Sequence, residues 1–308
     1  MITVLAGGVG AARLLRGLTA VVGPDAVTAV VNTGDDMVLH GLHISPDLDT
    51  VAYTLAGWSD DERGWGLAGE TWTVMEQLER LGGEAWFRLG DRDLATHLFR
   101  THRLASGATL SQVTAELVAR LEVPARLLPM SDDPVRTMVT LADGEEVGFQ
   151  HYFVALRHAV TVSAIRFAGV ESASPAPGVL RAISEAERVV ICPSNPIVSI
   201  GPILAIPGVR QALAERRSST VAVSPLVGGA ALKGPADRML RELGHEASSA
   251  GVAQLYAELA TALVIDDTDA ADAPAVTATG VRCVVAPTVM HDTARAAALA
   301  RVVLDAAA

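Results

Sequence analysis

Asp35, Asp36, Asp47 and Asp49 fall within fifteen residues, in VNTGDD and PDLDTVAYTLAG, with apolar segments on either side. Like charges this close repel, so the arrangement calls for a compensating cation or for donors on a ligand. Acid clusters that offer only oxygen suit hard cations, and Mg²⁺ takes one or two carboxylates together with substrate phosphates. Asp47 and Asp49 stand two apart, so an extended turn would aim both the same way. The plainer alternative is that one of them caps the helical pattern TVAYTLAG.

Three turns offer matching anion chemistry. AGGVGAARLL follows the first strand and opens a helix, with Gly7, Gly8 and Gly10 letting the backbone turn tightly and approach a phosphate. PSNPIVSIGPIL places Ser194 and Asn195 at the carboxyl end of a strand, where open α/β sheets bind ligands, and Ser199 can cap the helix that follows. SPLVGGAALKGPADR carries Lys233, the only lysine in the chain. A P-loop is excluded because no Lys-Ser/Thr pair follows the first turn. A dinucleotide site is disfavoured because the second strand ends in Val31-Asn32-Thr33 rather than in the acid that would hold a ribose.

WFRLGDRDLATHLFR packs Arg88, Asp91, Arg92 and Asp93 around Gly90, with His97 one helical turn after Asp93. An ion-paired helix start with a structural histidine is the plain account. Asp132 and Asp133, before Pro134, read as turn chemistry. No Ser/His/Asp triad and no His/Cys metal spacing emerges.

The elements that must position these residues form an α/β pattern. ITVLA (2–6), AVTAVV (26–31), RVVIC (188–192), STVAVS (219–224), ALVID (262–266) and CVVAP (283–287) read as buried strands separated by helical patterns. Near-continuous Val/Ile/Ala runs predict a Rossmann-like, mostly parallel sheet covered by helices on both faces. The strand signal lapses over about 55–125, where three helices form an insertion, the last capped by Thr109 or Ser111. Residues 135–154 alternate around Asp143-Gly144 and predict a β-hairpin. The final helix spans roughly 292–307. A single Rossmann-like domain over 1–308 accommodates all of this.

The net charge of −11 argues against a nucleic-acid backbone as partner, since such binding rests on Lys and Arg. No apolar run approaches the roughly 20 residues a membrane helix needs, and MITVLAGGVG reads as a strand, not a signal peptide. Cys192 and Cys283 lie far apart in strand-like runs, as core thiols in a reducing cytosol would. A cytoplasmic protein is expected.

GGVGAARLLRGL, NTGDD, PDLDT, LGDRDLATH, LPMSDDPVRT, SNPIVSIGPI and SPLVGG, in this order, resemble the 2-phospho-L-lactate transferase family of coenzyme F420 biosynthesis, over residues 2 to about 290. The resemblance implies transfer of a phospho-three-carbon acid from a guanosine diphosphate conjugate to the deazaflavin Fo, releasing GMP, with Mg²⁺ required and a homodimer expected. The lysine-poor, Ala- and Val-rich composition is similar to that of high-GC actinobacteria. In that branch the donor is enolpyruvyl-diphospho-guanosine and the product dehydro-F420-0, rather than F420-0 from the 2-phospho-L-lactyl donor; the two donors differ only at the three-carbon end. Carried over by motif, Asp49 and Arg88 match Fo-contacting positions. Gly7, Gly8, Gly10, Ser194, Asn195 and Ser199 match the guanine-nucleotide side. With that chemistry, Asp49 is expected to orient the Fo hydroxyl and accept its proton, while Asp36 and Asp47, with Asp49, hold the metal. Two rivals remain: a non-enzymatic nucleotide-sugar-binding regulator of the same superfamily, and an NAD-dependent oxidoreductase.

Overall fold

Short apolar runs line up as one seven-stranded parallel sheet in a computed structural model that describes residues 1–306. Within it β1 (Ile2–Ala6) has β2 (Val27–Val31) on one side and the central strand, Arg188–Ile191, on the other. Beyond β2 lies Arg126–Pro129; beyond Arg188–Ile191 come Thr220–Val223, Ala262–Ile265 and Arg282–Val285 in turn. The strand order therefore reverses direction at β1, which opens a crevice at the carboxyl ends of β1 and Arg188–Ile191. The six strands read from the sequence are all present. The seventh, Arg126–Pro129, was hidden by its brevity and its proline, which the sheet accepts because this strand is an edge.

Side chains of each strand alternate between two cores. Val4 and Ala6 point towards Leu14, Leu15 and Leu18 of α1 (Gly8–Val22) and towards Leu299 and Val303 of the last helix, Thr293–Ala306. Leu5, Val189 and Ile191 point the other way, against Val179, Ile203, Leu213 and Val252. Each such burial contributes about 1.5–3 kcal/mol before conformational entropy is subtracted. Helix α1 crosses the last helix so closely that a Cβ at Gly17 would strike the Ala296 carbonyl.

After β2 the chain forms a small hairpin (Met37–Leu39 with Leu42–Ile44) and then α2 (Pro46–Leu55). The helical insertion follows as α3 (Thr73–Arg80), α4 (Asp93–Ala105) and α5 (Leu110–Arg120). Thr109 caps α5 through a reciprocal box with Gln112. The insertion has a small core of its own, Leu39, Ile44, Met75 and Leu89.

The hairpin around Asp143-Gly144 pairs Arg136–Leu141 with only Glu146–Gly148. Its second arm stops early because Phe149, Tyr152 and Phe153 turn into an apolar cluster, and His151–Ala155 wind into a wide helical turn. A third strand, Val162–Ala168, pairs along the other edge of Arg136–Leu141. No single helix among the described residues is long and apolar enough to cross a membrane.

Candidate active site

A cleft of about 840 Å³ opens at the switch point, lined by β1–α1, the turn after Arg188–Ile191 and the helical insertion. Its lining includes Gly7, Gly8, Gly10, Ser194, Asn195 and Ser199, so the two turns expected to hold the diphosphate are adjacent. Their contact dictates the glycines. A Cβ at Gly7 would come within 2.7 Å of Ser199 Cβ, and one at Gly10 within 2.7 Å of the Pro193 carbonyl. The Ser194 hydroxyl bridges Gly7, donating to its carbonyl at 2.7 Å and accepting from its N–H at 3.3 Å. Asn195 Oδ1 accepts from Ile197 and Val198 N–H, which fixes the second turn. Gly8, at φ +75°, takes a backbone conformation that side chains rarely adopt.

The acids occupy the floor, but not as an extended turn would place them. PDLDT is the first turn of α2, so Asp47 and Asp49 project about 200° apart around the helix axis. Neither caps α2, whose N-cap residue is Ser45. Asp47 instead accepts from Gly8 N–H at the start of α1 (2.8 Å) and from Asn32 Nδ2 (2.9 Å). Burial nevertheless pushes the Asp47 pKa up to about 6. Asp35 shares this wall; burial, then the charges of Asp47 and Asp36, raise its pKa well above the carboxylate range.

Asp36, expected among the metal ligands, does not line the cleft. Its carboxylate accepts from Ser45 Oγ at 2.6 Å, and its backbone carbonyl accepts from Arg136. Burial pushes its pKa up to about 8, a value that favours the protonated form at neutral pH. Asp35, its neighbour, takes the cleft-facing place. Asp35 Oδ1, Asp36 Oδ1 and Asp49 Oδ2 are all buried carboxylate oxygens without a protein partner. Asp35 and Asp47, close enough for their charges to interact, offer the oxygen-only pair that suits a hard divalent cation. The group whose ligand atoms all lie within 4.8 Å of one another among the described residues is instead Asp49, Asp93 and His97.

Aromatic side chains from α2, the insertion and the segment after the hairpin form a further wall. Tyr53, Trp65, Trp86, Phe87, Phe149 and Phe153 line the cleft, although aromatics make up only 4% of the chain. That concentration suits a flat ring system. Arg88 lies on the same wall, its guanidinium 5.4 Å from the Trp72 ring centroid.

The rest of the GDRD segment builds the scaffold. Asp91 accepts from Thr71 Oγ1 and from the N–H groups of Thr73 and Val74, capping α3 across the chain. Glu70 returns the favour by accepting from Arg92 and Asp93 N–H at the start of α4. Asp132 accepts from Ser111 N–H in the first turn of α5, and Asp133 from Ser174 N–H, in keeping with turn chemistry.

Beneath the acids lies a buried network that spacing alone did not reveal. Arg100, only 1% exposed, donates through Nη2 to Asp49 Oδ1. Its Nη1 lies 3.3 Å from His97 Nδ1 and 3.3 Å from the His43 carbonyl. His97 Nε2 is 3.2 Å from Asp93 Oδ2, and Tyr53 Oη donates to Asp93 Oδ1 at 2.6 Å. Burial opposes the charge on Arg100, and the Asp49 carboxylate overrides it, so the guanidinium pKa is raised. The signal that could have found Arg100 is its spacing: His97 and Arg100 stand three apart on the face of α4 that also presents Asp93.

The fold and cleft together define a Rossmann-type α/β protein with an anion-binding turn, buried carboxylates and an aromatic wall meeting at the sheet's switch point. Comparison with known proteins narrows this class. The family model described as 2-phospho-L-lactate transferase CofD matches residues 2–306, and the chain belongs to that family. It is 48% identical to a phosphoenolpyruvate transferase of Kitasatospora aureofaciens, with 98% of this chain and 96% of that one covered. It is 49% identical to one of Streptomyces griseus (99% and 98% covered) and 42% identical to one of Mycolicibacterium smegmatis (99% and 98%). A crystal structure of a UPF0052 family protein from Bacillus halodurans shares the fold, with a TM-score of 0.65 and 16% identity over 98% of both chains.

Proposed function

We propose that the chain transfers the phosphoenolpyruvyl group of a guanosine diphosphate conjugate to the deazaflavin Fo, giving dehydro-F420-0 and GMP in coenzyme F420 biosynthesis. Membership of the CofD family supports a transferase, and relatives over nearly the whole chain are named phosphoenolpyruvate transferase, which favours that donor over 2-phospho-L-lactyl. The observation that carries the reading is the placement of Asp49: it lines the cleft together with the two glycine- and serine-rich turns and the aromatic side chains, and its buried Oδ2 has no protein partner.

In this reading the conjugate's diphosphate lies along Gly7–Gly10 and Ser194–Ser199, at the positive end of the α1 dipole. The deazaflavin ring lies against the aromatic wall beside Arg88. The terminal hydroxyl of Fo attacks the phosphorus that carries the three-carbon acid; a new P–O bond forms as the P–O bond to GMP breaks. Asp49 Oδ2 accepts the hydroxyl proton and orients its oxygen. The aromatic wall excludes water that would compete with Fo for the phosphorus. Asp35 and Asp47 are the residues that would hold Mg²⁺, which leaves Asp49 Oδ2 for the hydroxyl, and Asp36 does not line the cleft. When bound, the metal would supply charge for the phosphoryl oxygens, which a protein with one lysine cannot draw from ammonium groups. A cytoplasmic homodimer belongs to the same proposal, and light scattering at twice the chain's mass would support it.

The test is turnover by the Asp49→Asn variant, shown to be folded by circular dichroism. A fall in kcat of about 10²–10⁴-fold is expected for loss of a general base. Wild-type turnover would remove Asp49 from the mechanism.

A further inference from the structure

Asp49 has two oxygens and only one protein donor in hydrogen-bond contact with them. Arg100 takes Oδ1, while Oδ2 has no partner and His97 Nδ1 stands 3.7 Å away. A guanidinium only donates, so its contact with His97 Nδ1 requires that nitrogen to be the acceptor, leaving the neutral ring's proton on Nε2, towards Asp93. With its lone pair turned to Arg100, His97 Nδ1 cannot donate to Asp49 Oδ2. The order of donation thus runs Tyr53 to Asp93, Arg100 to His97 and Arg100 to Asp49, with His97 Nε2 3.2 Å from Asp93 Oδ2 but outside hydrogen-bond geometry. It leaves Asp49 Oδ2 buried and unclaimed, on a residue that lines the cleft.

We propose that Arg100 is a positioning residue for the transfer: by holding Asp49 Oδ1, and by fixing the His97 tautomer, it aims Asp49 Oδ2 at the acceptor hydroxyl. Arg100 itself is absent from the cleft lining and 1% exposed, so it acts through Asp49 and not on substrate. A lysine could supply the charge but not the planar fork that reaches Asp49 and His97 together. The proposal rests on the reading of Asp49 given above.

The experiment is a double-mutant cycle on wild type, Asp49→Asn, Arg100→Met and the double variant, assayed with Fo and the guanosine conjugate. Arg100→Met is expected to lower kcat about 10²-fold, with KM for the conjugate within about twofold, as loss of an interaction realised only in the transition state would. In the Asp49→Asn background the same change should lower kcat by less than about threefold, because the residues act as one unit. Arg100→Lys should regain about tenfold of the loss. Arg100→Met alone leaves Asp49 buried without a counter-charge. If it does not fold, the double variant, which removes both charges, is compared directly with Asp49→Asn and should match it. Where steady-state turnover is too low to measure, single-turnover GMP release completes the cycle with the same pattern. An equal loss on removing Arg100 in both backgrounds, or a double variant about 10²-fold below Asp49→Asn, overturns the proposal. Wild-type turnover by Asp49→Asn would instead defeat the reading of Asp49, and wild type inactive with every donor would defeat the function itself.

Discussion

Asp36 shows how far burial separates neighbouring side chains of the same type. Its pKa rises from an ordinary 3.8 to about 8, chiefly through burial, so the folded chain keeps a proton that the unfolded chain has lost. Stability from this proton is complete below about pH 4 and is lost as pH rises towards 8. Asp47 acts in the same sense up to about 6. His43, lowered by burial to about 4, acts in the opposite sense between about 4 and 6.5. The window from 6.5 to 8 therefore belongs to Asp36 together with Asp35, whose raised carboxyl acts in the same sense. Thermal melts of metal-free protein should show a falling midpoint across it, and Asp36→Asn should lessen the slope; a rising midpoint would contradict this account. The acids as a group were legible in the sequence because their crowding needs compensation. Which acid faces the cleft was not, since Asp35 and Asp36 are adjacent and the turn after β2 decides between them. Arg100 was illegible for a related reason: a charged residue on a helix of mixed polarity reads as solvent-facing, and only the packing of α4 against α2 shows it paired with Asp49.

At the level of elements, the cleft depends on two turns in contact and on two helices capped from a distance. Gly10→Ala drives a methyl group into the Pro193 carbonyl, which forces the β1–α1 turn away from the Ser194–Ser199 turn. Overpacking of this kind costs about 1–3 kcal/mol, and isothermal titration should show weakened GMP binding together with a lowered melting temperature. Unchanged affinity would mean that the nucleotide does not bridge the turns. Glu70→Ala removes acceptors for two N–H groups at the start of α4 and should cost about 1 kcal/mol by urea denaturation. A larger loss of Fo affinity is also expected, since α4 carries Asp93, His97 and Arg100. The strands and the insertion could be read from the sequence because buried parallel strands are nearly continuous apolar runs. Arg126–Pro129 and Val162–Ala168 could not: the first is a four-residue edge strand ending in proline, and the second is a mix of exposed and partly buried positions without a clean apolar alternation. Capping across the chain, as by Asp91 on α3, leaves no local signature, because donor and acceptor lie 17 residues or more apart.

For the molecule as a whole, the order of strands sets the chemistry. Reversal at β1 brings a turn near residue 8 against one near residue 195, and α2, the insertion and the segment after the hairpin line the opening with aromatic side chains. Such a chamber fits a charged nucleotide on one side and a flat acceptor on the other, with carboxylates between them. The most direct measurement is a Mg²⁺-dependent reaction of the purified protein with Fo and, separately, the phosphoenolpyruvyl and 2-phospho-L-lactyl conjugates of guanosine diphosphate, followed by mass spectrometry. The account predicts GMP and, from the phosphoenolpyruvyl conjugate, a product two hydrogens lighter than the phospholactyl compound, formed faster than the alternative. No product from Fo with either donor would contradict it.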